Sequence, residues 1–290
     1  YAPETVLTPE DIAKVPTNVQ LVYWDYYHNT QAEYDCLLEK RKDLPNDLIF
    51  AGGIWKWNGW VPNYGKTFTA TRAAMAACRN HRVDEIVATM WGDNGGEAVL
   101  HTVWPGLILF GQCIYDAPED EATIDHKCKA LTGLPLSGFL SIEELDLLPG
   151  CERPNVRTRN PAKYLLYQDI LLGAFDCYVV PGVEQHYAQW SHELTQLAEK
   201  TDYAPHICEM LEIYGQLAQV LSVKSGIGIS IRNAYRAKNK ASLREMIPVL
   251  EDLEQQVYRL QSLFDCVWTH SAKGTPANPK TFWQAKSPSA

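Results

Sequence analysis

The chain has 290 residues, 46% apolar and 21% charged, the balance of a globular protein with room for one large domain or two ordinary ones. A formal charge of −9 excludes the basic stripe that neutralises nucleic-acid phosphates and the cationic face that seats a protein on an anionic membrane. The best apolar run, residues 103–114, is broken by Pro105 and falls well short of the roughly 20 residues a membrane helix needs.

Eight cysteines stand at positions 36, 78, 113, 128, 151, 177, 208 and 266, none in CxxC spacing and none beside a His pair with zinc-ligand spacing. They read as free thiols buried in apolar helices, such as Cys36 before Leu37-Leu38, in a reducing, cytoplasmic compartment. No metal or organic cofactor is expected. The first residues show no signal-peptide pattern.

Three segments in the first third share one grammar: a short apolar run, an aromatic and polar cluster, then a helix. Val19-Gln20-Leu21-Val22-Tyr23 passes into Trp24-Asp25-Tyr26-Tyr27-His28, and a helix opens at Thr30-Gln31-Ala32-Glu33, the pattern of a capping box. Asp47-Leu48-Ile49-Phe50-Ala51 passes into Gly52-Gly53-Ile54-Trp55-Lys56-Trp57. After a loop with Pro62 and Gly65, an Ala-rich helix is expected over residues 69–79. Glu85-Ile86-Val87-Ala88-Thr89-Met90 passes into Trp91-Gly92-Asp93-Asn94-Gly95-Gly96-Glu97, with a helix from about Ala98. Strand and helix alternating at roughly 35-residue intervals predict an α/β fold with parallel strands, whose sites lie at the strands' carboxyl ends.

Past Asp116 the pattern becomes helical. Ser141-Ile142-Glu143-Glu144 reads as the start of a short helix, and Asn160-Pro161 as the start of a longer one through Leu165, Leu166, Ile170 and Leu171. Met246, Leu250, Leu253, Val257, Leu260 and Phe264 recur at intervals of four and three along one helix face, for packing within the chain or between two copies. The Pro-, Ser- and Lys-rich residues 271–290 are expected to lack order.

Trp55, Trp57, Trp60 and Trp91 fall at strand ends beside glycines that let backbone or ligand approach closely. They are either core aromatics or flat faces for a pyranose ring, with Asp25, Asp93 and Glu97 as acceptors for its hydroxyls. Glu97 could equally serve a helix N-terminus, and Asp93 a glycine-rich turn. The segment 92–96 is no phosphate loop, since it lacks GxxxxGK[ST] and its Asp would repel phosphate. His28 reads as a satisfied rim residue.

Leu21-Val-Tyr-Trp-Asp-Tyr-Tyr-His28, Phe50-Ala-Gly-Gly-Ile-Trp-Lys-Trp57 and Met90-Trp-Gly-Asp-Asn-Gly-Gly-Glu97 closely resemble glycoside hydrolase family 20, the β-N-acetylhexosaminidases. The likeness is to its intracellular bacterial branch with a helical C-terminal domain, which Asn160-Pro-Ala-Lys-Tyr-Leu-Leu-Tyr-Gln-Asp169 continues; it spans roughly residues 15–265. The resemblance implies that residues 1–116 form strands six to eight of a (β/α)₈ TIM barrel and residues 117–270 an α-helical domain. It implies hydrolysis of terminal N-acetylglucosamine or N-acetylgalactosamine from an oligosaccharide, the substrate's own acetamido group acting as nucleophile. In the family an Asp-Glu pair after the fourth strand orients that group and supplies acid and base. No such pair occurs here in a matching context, and Asp146 lies in a helical segment, so no catalytic residue is assigned. What carries over is binding. Trp55, Trp57 and Trp91 resemble the aromatic walls around the sugar, Asp93 and Glu97 the acceptors of its hydroxyls, and Trp24, Asp25 and Tyr26 the region facing the acetamido group. Trp24 and Tyr26 should share a face opposite Asp25. The alternative is a non-catalytic N-acetylhexosamine-binding or interaction module.

Overall fold

The computed structural model describes residues 8–93, 95–115, 120–200 and 202–271. The expected tail after Ser271 lies outside them. Helix α1 (Pro9–Lys14) leads into strand β1 (Leu21–Trp24), helix α2 (Gln31–Glu39), strand β2 (Leu48–Gly53), helix α3 (Tyr64–Asn80), strand β3 (Glu85–Thr89) and helix α4 (Trp104–Ile114). The strands are parallel and ordered β1-β2-β3, each beside the next in sequence.

Register divides the sheet into two unlike faces. Tyr23, Phe50 and Ile86 are cross-strand partners on one of them. There Tyr34 of α2 meets Phe50 edge-on at 6.0 Å, and Phe110 of α4 sits against Gly52. Val22, Ile49 and Glu85 line the other face, followed by Trp24, Ala51 and Val87. On that face Val22, Trp24 and Val87 are exposed. Parallel sheets bury both faces, because their crossovers make the strands apolar throughout. Here one face is open.

Local chemistry sets the helix ends. The Glu33 carboxylate accepts from the Thr30 N–H (2.9 Å) and hydroxyl (2.6 Å), the return half of the expected capping box. Helix α3 starts five residues before the expected 69, because the Asn63 side chain caps it by accepting from Lys66 N (2.8 Å); Gly65 is therefore helical. The helix expected from Ala98 is delayed to a 3₁₀ turn at Leu100–Val103, running into α4.

Helices α5 (Glu121–Thr132), α6 (Leu136–Glu143), α7 (Pro161–Tyr167), α8 (Val183–Ala198), α9 (Pro205–Arg236) and α10 (Lys240–Ser271) complete the chain. Ser141 to Glu144 closes α6 rather than opening a helix. Helix α7 stops at Tyr167, so Ile170 and Leu171 lie beyond it. Asp169 accepts from the N–H groups of Leu171 and Leu172 and turns the chain away. The α10 stripe packs within the chain: Leu253, Leu260 and Phe264 are buried, and α9 is the neighbour. All eight cysteines are free; Cys78, Cys113 and Cys128 are buried, whereas Cys36 lies on the outer side of α2. No described helix is long and apolar enough to cross a membrane.

Candidate functional site

Three loops leave the carboxyl ends of β1, β2 and β3 side by side. They start in register: Asp25 N donates to Ala51 O (3.1 Å) and Ile54 N to Thr89 O (2.8 Å).

In the first loop Asp25 is completely buried. It accepts from Tyr23 Oη (2.6 Å) and Tyr27 N (3.0 Å), and His28 Nδ1 lies 2.8 Å away. Burial, then the bond to Asp25, pushes the Tyr23 phenol far above its ordinary value. Lys66 reaches back from α3 to Tyr27 O (2.5 Å) and Asn29 Oδ1 (2.7 Å), pinning the loop. Burial lowers its ammonium below the usual range, against the opposing pull of Glu33 and Asp25.

In the second loop Trp55 and Trp57 stack at 4.4 Å. Tyr26 meets Trp57 at 4.8 Å and Trp55 edge-on at 5.8 Å, and Trp55 Nε1 donates to Tyr26 O (3.1 Å). These three rings form a cluster separate from the main core. Glycine at 53 makes room for it, since a Cβ there would lie 2.7 Å from both Trp57 and Tyr26. Because Gly53 follows Ala51 on the open side of the sheet, the cluster roofs that side at its carboxyl end. Burial raises the Tyr26 phenol to about 12, so its hydroxyl is a proton donor at neutral pH. Trp24 stands 6.2 Å from Tyr26 and 5.7 Å from Trp91. It is 50% exposed and Trp91 40%, so these two offer open aromatic surface.

Lys56 is buried, and its Nζ donates to Trp91 O (3.3 Å) and ties the second loop to the third. Burial lowers its pKa, while Asp93 and then Glu97 pull it back up. Asp93 is exposed and close enough to act electrostatically on both Lys56 and Tyr26. Glu97 is only 3% exposed. Its Oε1 lies 2.9 Å and its Oε2 3.1 Å from Lys163 Nζ, and Tyr167 Oη donates to Oε1 at 3.3 Å.

The structure therefore gathers Trp24, Tyr26, Trp55, Trp57 and Trp91 into one chain of ring contacts with Asp93 beside it. It sets Asp25 and Glu97 apart. Asp25 faces the opposite side of the strand from Trp24 and Tyr26 and holds its own loop. Glu97 faces α7 and caps no helix, because the next turn begins only at Leu100 with Val99 before it. Trp60 belongs to the main core. Sequence reasoning passed over Lys56, Lys66, Lys163 and Tyr167. Lys163 and Tyr167 were legible as an i, i+4 pair sharing one face of α7, but nothing in the sequence named the group they face.

Half-exposed indoles stack on the C–H faces of a sugar ring, a carboxylate such as Asp93 accepts its hydroxyls, and a protonated phenol donates to a carbonyl oxygen. Among the described carboxyls the marked upward shifts belong to Glu143, raised to about 7, and Asp146, both through burial. Each is spent on a helix start: Glu143 accepts from Gly65 N (3.0 Å) and Asp146 from Ala162 N (2.9 Å).

Residues 137–274 match the family described as Glycoside Hydrolase 20C C-terminal domain, which supports a C-terminal helical domain assignment within glycoside hydrolase family 20 for that stretch and a glycoside hydrolase context for the chain. No curated protein matches the sequence.

Proposed function

We propose that this chain is part of an exo-acting β-N-acetylhexosaminidase and holds the terminal sugar, while the Asp-Glu pair that completes substrate-assisted hydrolysis comes from sequence outside these 290 residues. The observation that carries this reading is the convergence of five aromatic rings and Asp93 over the open face of the sheet. The helices cover one face and the rings roof the other, as outer helices and a central site do in a (β/α)₈ barrel. Neighbouring strands pair in sequence order, as in a barrel arc, and Val22 and Val87 await a covering layer. From the family resemblance of their strand-end motifs we take β1, β2 and β3 as strands six to eight, with N-acetylglucosamine or N-acetylgalactosamine at the end of an oligosaccharide as the ligand. Tyr26 then donates to the acetamido oxygen, Trp24 and Trp91 flank the ring, and Asp93 accepts a hydroxyl. The eight free thiols fit a reducing, cytoplasmic setting.

Titrating the chain with N-acetylglucosamine should quench its tryptophan emission where glucose does not, and the chain alone should not hydrolyse a nitrophenyl N-acetylglucosaminide. An emission blind to the N-acetyl sugar sinks the reading. Turnover by the chain alone, abolished by Glu97→Gln, would put the acid inside it.

One observation favours a second reading, a non-catalytic sugar-binding module: a single core runs from Tyr23 to Val267 across sheet and helices. The two part in solution. A module sediments as a monomer, whereas an arc of barrel with open strand edges self-associates.

A further inference from the structure

Among the described residues, Glu97 is a strand-end carboxylate held by the helical region. Its partners Lys163 and Tyr167 both come from α7, inside the matched residues 137–274. The ammonium straddles both carboxylate oxygens, and the side chains of the pair are 12% and 4% exposed, so solvent screens the attraction little. Tyr167 is itself fixed, because Trp60 Nε1 donates to its oxygen (3.0 Å). Tyr214 of α9 donates to Trp60 O (2.8 Å) and accepts from Val99 N (3.2 Å), two residues past Glu97. The loops after β2 and β3 are thus stitched to α7 and α9 through Trp60, Glu97 and Val99. Burial, then the neighbouring Glu97, lifts the Tyr167 phenol far above its ordinary value, so it stays a donor.

We propose that Glu97, Lys163 and Tyr167 form a latch by which the helical domain sets the position of the loop carrying Trp91 and Asp93. Lys163 and Tyr167 are positioning residues. Glu97 serves the sugar through the placement of Trp91 and Asp93 rather than by touching it. For its consequence on ligand affinity the inference rests on the reading that this loop faces the sugar; the latch itself does not. It gives the helical domain a task at the site beyond packing. Lys56 adds a second tie to the same loop by donating to Trp91 O (3.3 Å).

The test is fluorine NMR of the full 290-residue chain labelled with 5-fluorotryptophan, the Trp91 signal being assigned by Trp91→Phe. In Lys163→Met that signal should shift and broaden, while the signal of Trp190, on α8, stays in place. Lys163→Arg, which keeps the charge, should restore it, and Tyr167→Phe should give a smaller shift in case the methionine variant folds poorly. With N-acetylglucosamine added, Lys163→Met should weaken binding about tenfold, the loss of one charge-assisted contact. An unmoved Trp91 signal in Lys163→Met overturns the latch, as does an equal displacement of every tryptophan signal, which would mean general support of the fold. If the parent chain takes no sugar, the reading of the site fails while the sugar-free spectra still decide the latch.

Discussion

Asp25 shows how a residue can stand in a site motif and be spent on structure. It has no exposed surface, yet three donors converge on its two oxygens. Removing it orphans a buried phenol and a backbone N–H, each costing roughly 1–3 kcal/mol when left without an acceptor. Asp25→Ala should therefore destabilise the chain by about 3 kcal/mol in urea unfolding. It should also redden the tryptophan emission, since Tyr26 rides on the same loop. A change under about 0.5 kcal/mol, the range of ordinary surface substitutions, would show that the loop does not depend on this carboxylate. Residue type, position after a strand and family resemblance together placed Asp25 among candidate sugar contacts. Alternation along the strand did separate it from Trp24 and Tyr26, and that part of the geometry follows from the two-residue period alone. What the sequence could not supply was which side the helices cover.

At the level of elements, starts were more legible than ends. Thr30 with Glu33 and Asn160 with Pro161 mark helix starts by local chemistry that leaves a sequence signature. Helix α6 ends at Glu143 and passes into a 3₁₀ turn at Glu144–Asp146, while the Glu143 side chain accepts from the first turn of α3, a partner 78 residues away. No local pattern encodes such a contact, which is why Ser141 to Glu144 reads as a start in sequence and is an end in space. The arrangement has a pH signature. Burial raises the Glu143 carboxyl to about 7 from its ordinary value of 4.5, so between those values the folded chain holds a proton that the unfolded chain releases. This group's contribution to stability is thus fully present below about pH 4.5 and is lost as pH rises through 7. Glu143→Gln keeps an oxygen for Gly65 N and removes the buried charge. It should match the parent near pH 5 and exceed it at pH 8 by roughly 1–3 kcal/mol, read from urea midpoints at the two pH values. A variant less stable at pH 8 would mean that the ionised carboxylate at the α3 N-terminus is worth more than its desolvation costs.

Across the molecule the sheet and the helices are joined by more than the latch. Phe264, near the end of α10, lies 5.0 Å from Trp60, which is 1% exposed in the loop after β2, and both belong to one core with Tyr23 and Phe50. Packed side chains thus run in one cluster across residue 116, where strand periodicity gives way to helix periodicity. Periodicity reads one element at a time and is blind to such contacts. A continuous core implies one cooperative transition, whereas two cores would melt separately. Far-UV circular dichroism follows mostly the helices of residues 121–271, while tryptophan emission follows mostly the strand-end rings, so the two probes should melt at one temperature. Phe264→Ala should lower both together, by about 3–4 kcal/mol of stability, because the cavity it leaves opens at the junction. Two separated transitions, with only the helical signal moved by Phe264→Ala, would mean that the sheet and its aromatic roof stand on their own. The helical region would then be an appendage rather than the support on which the site is built.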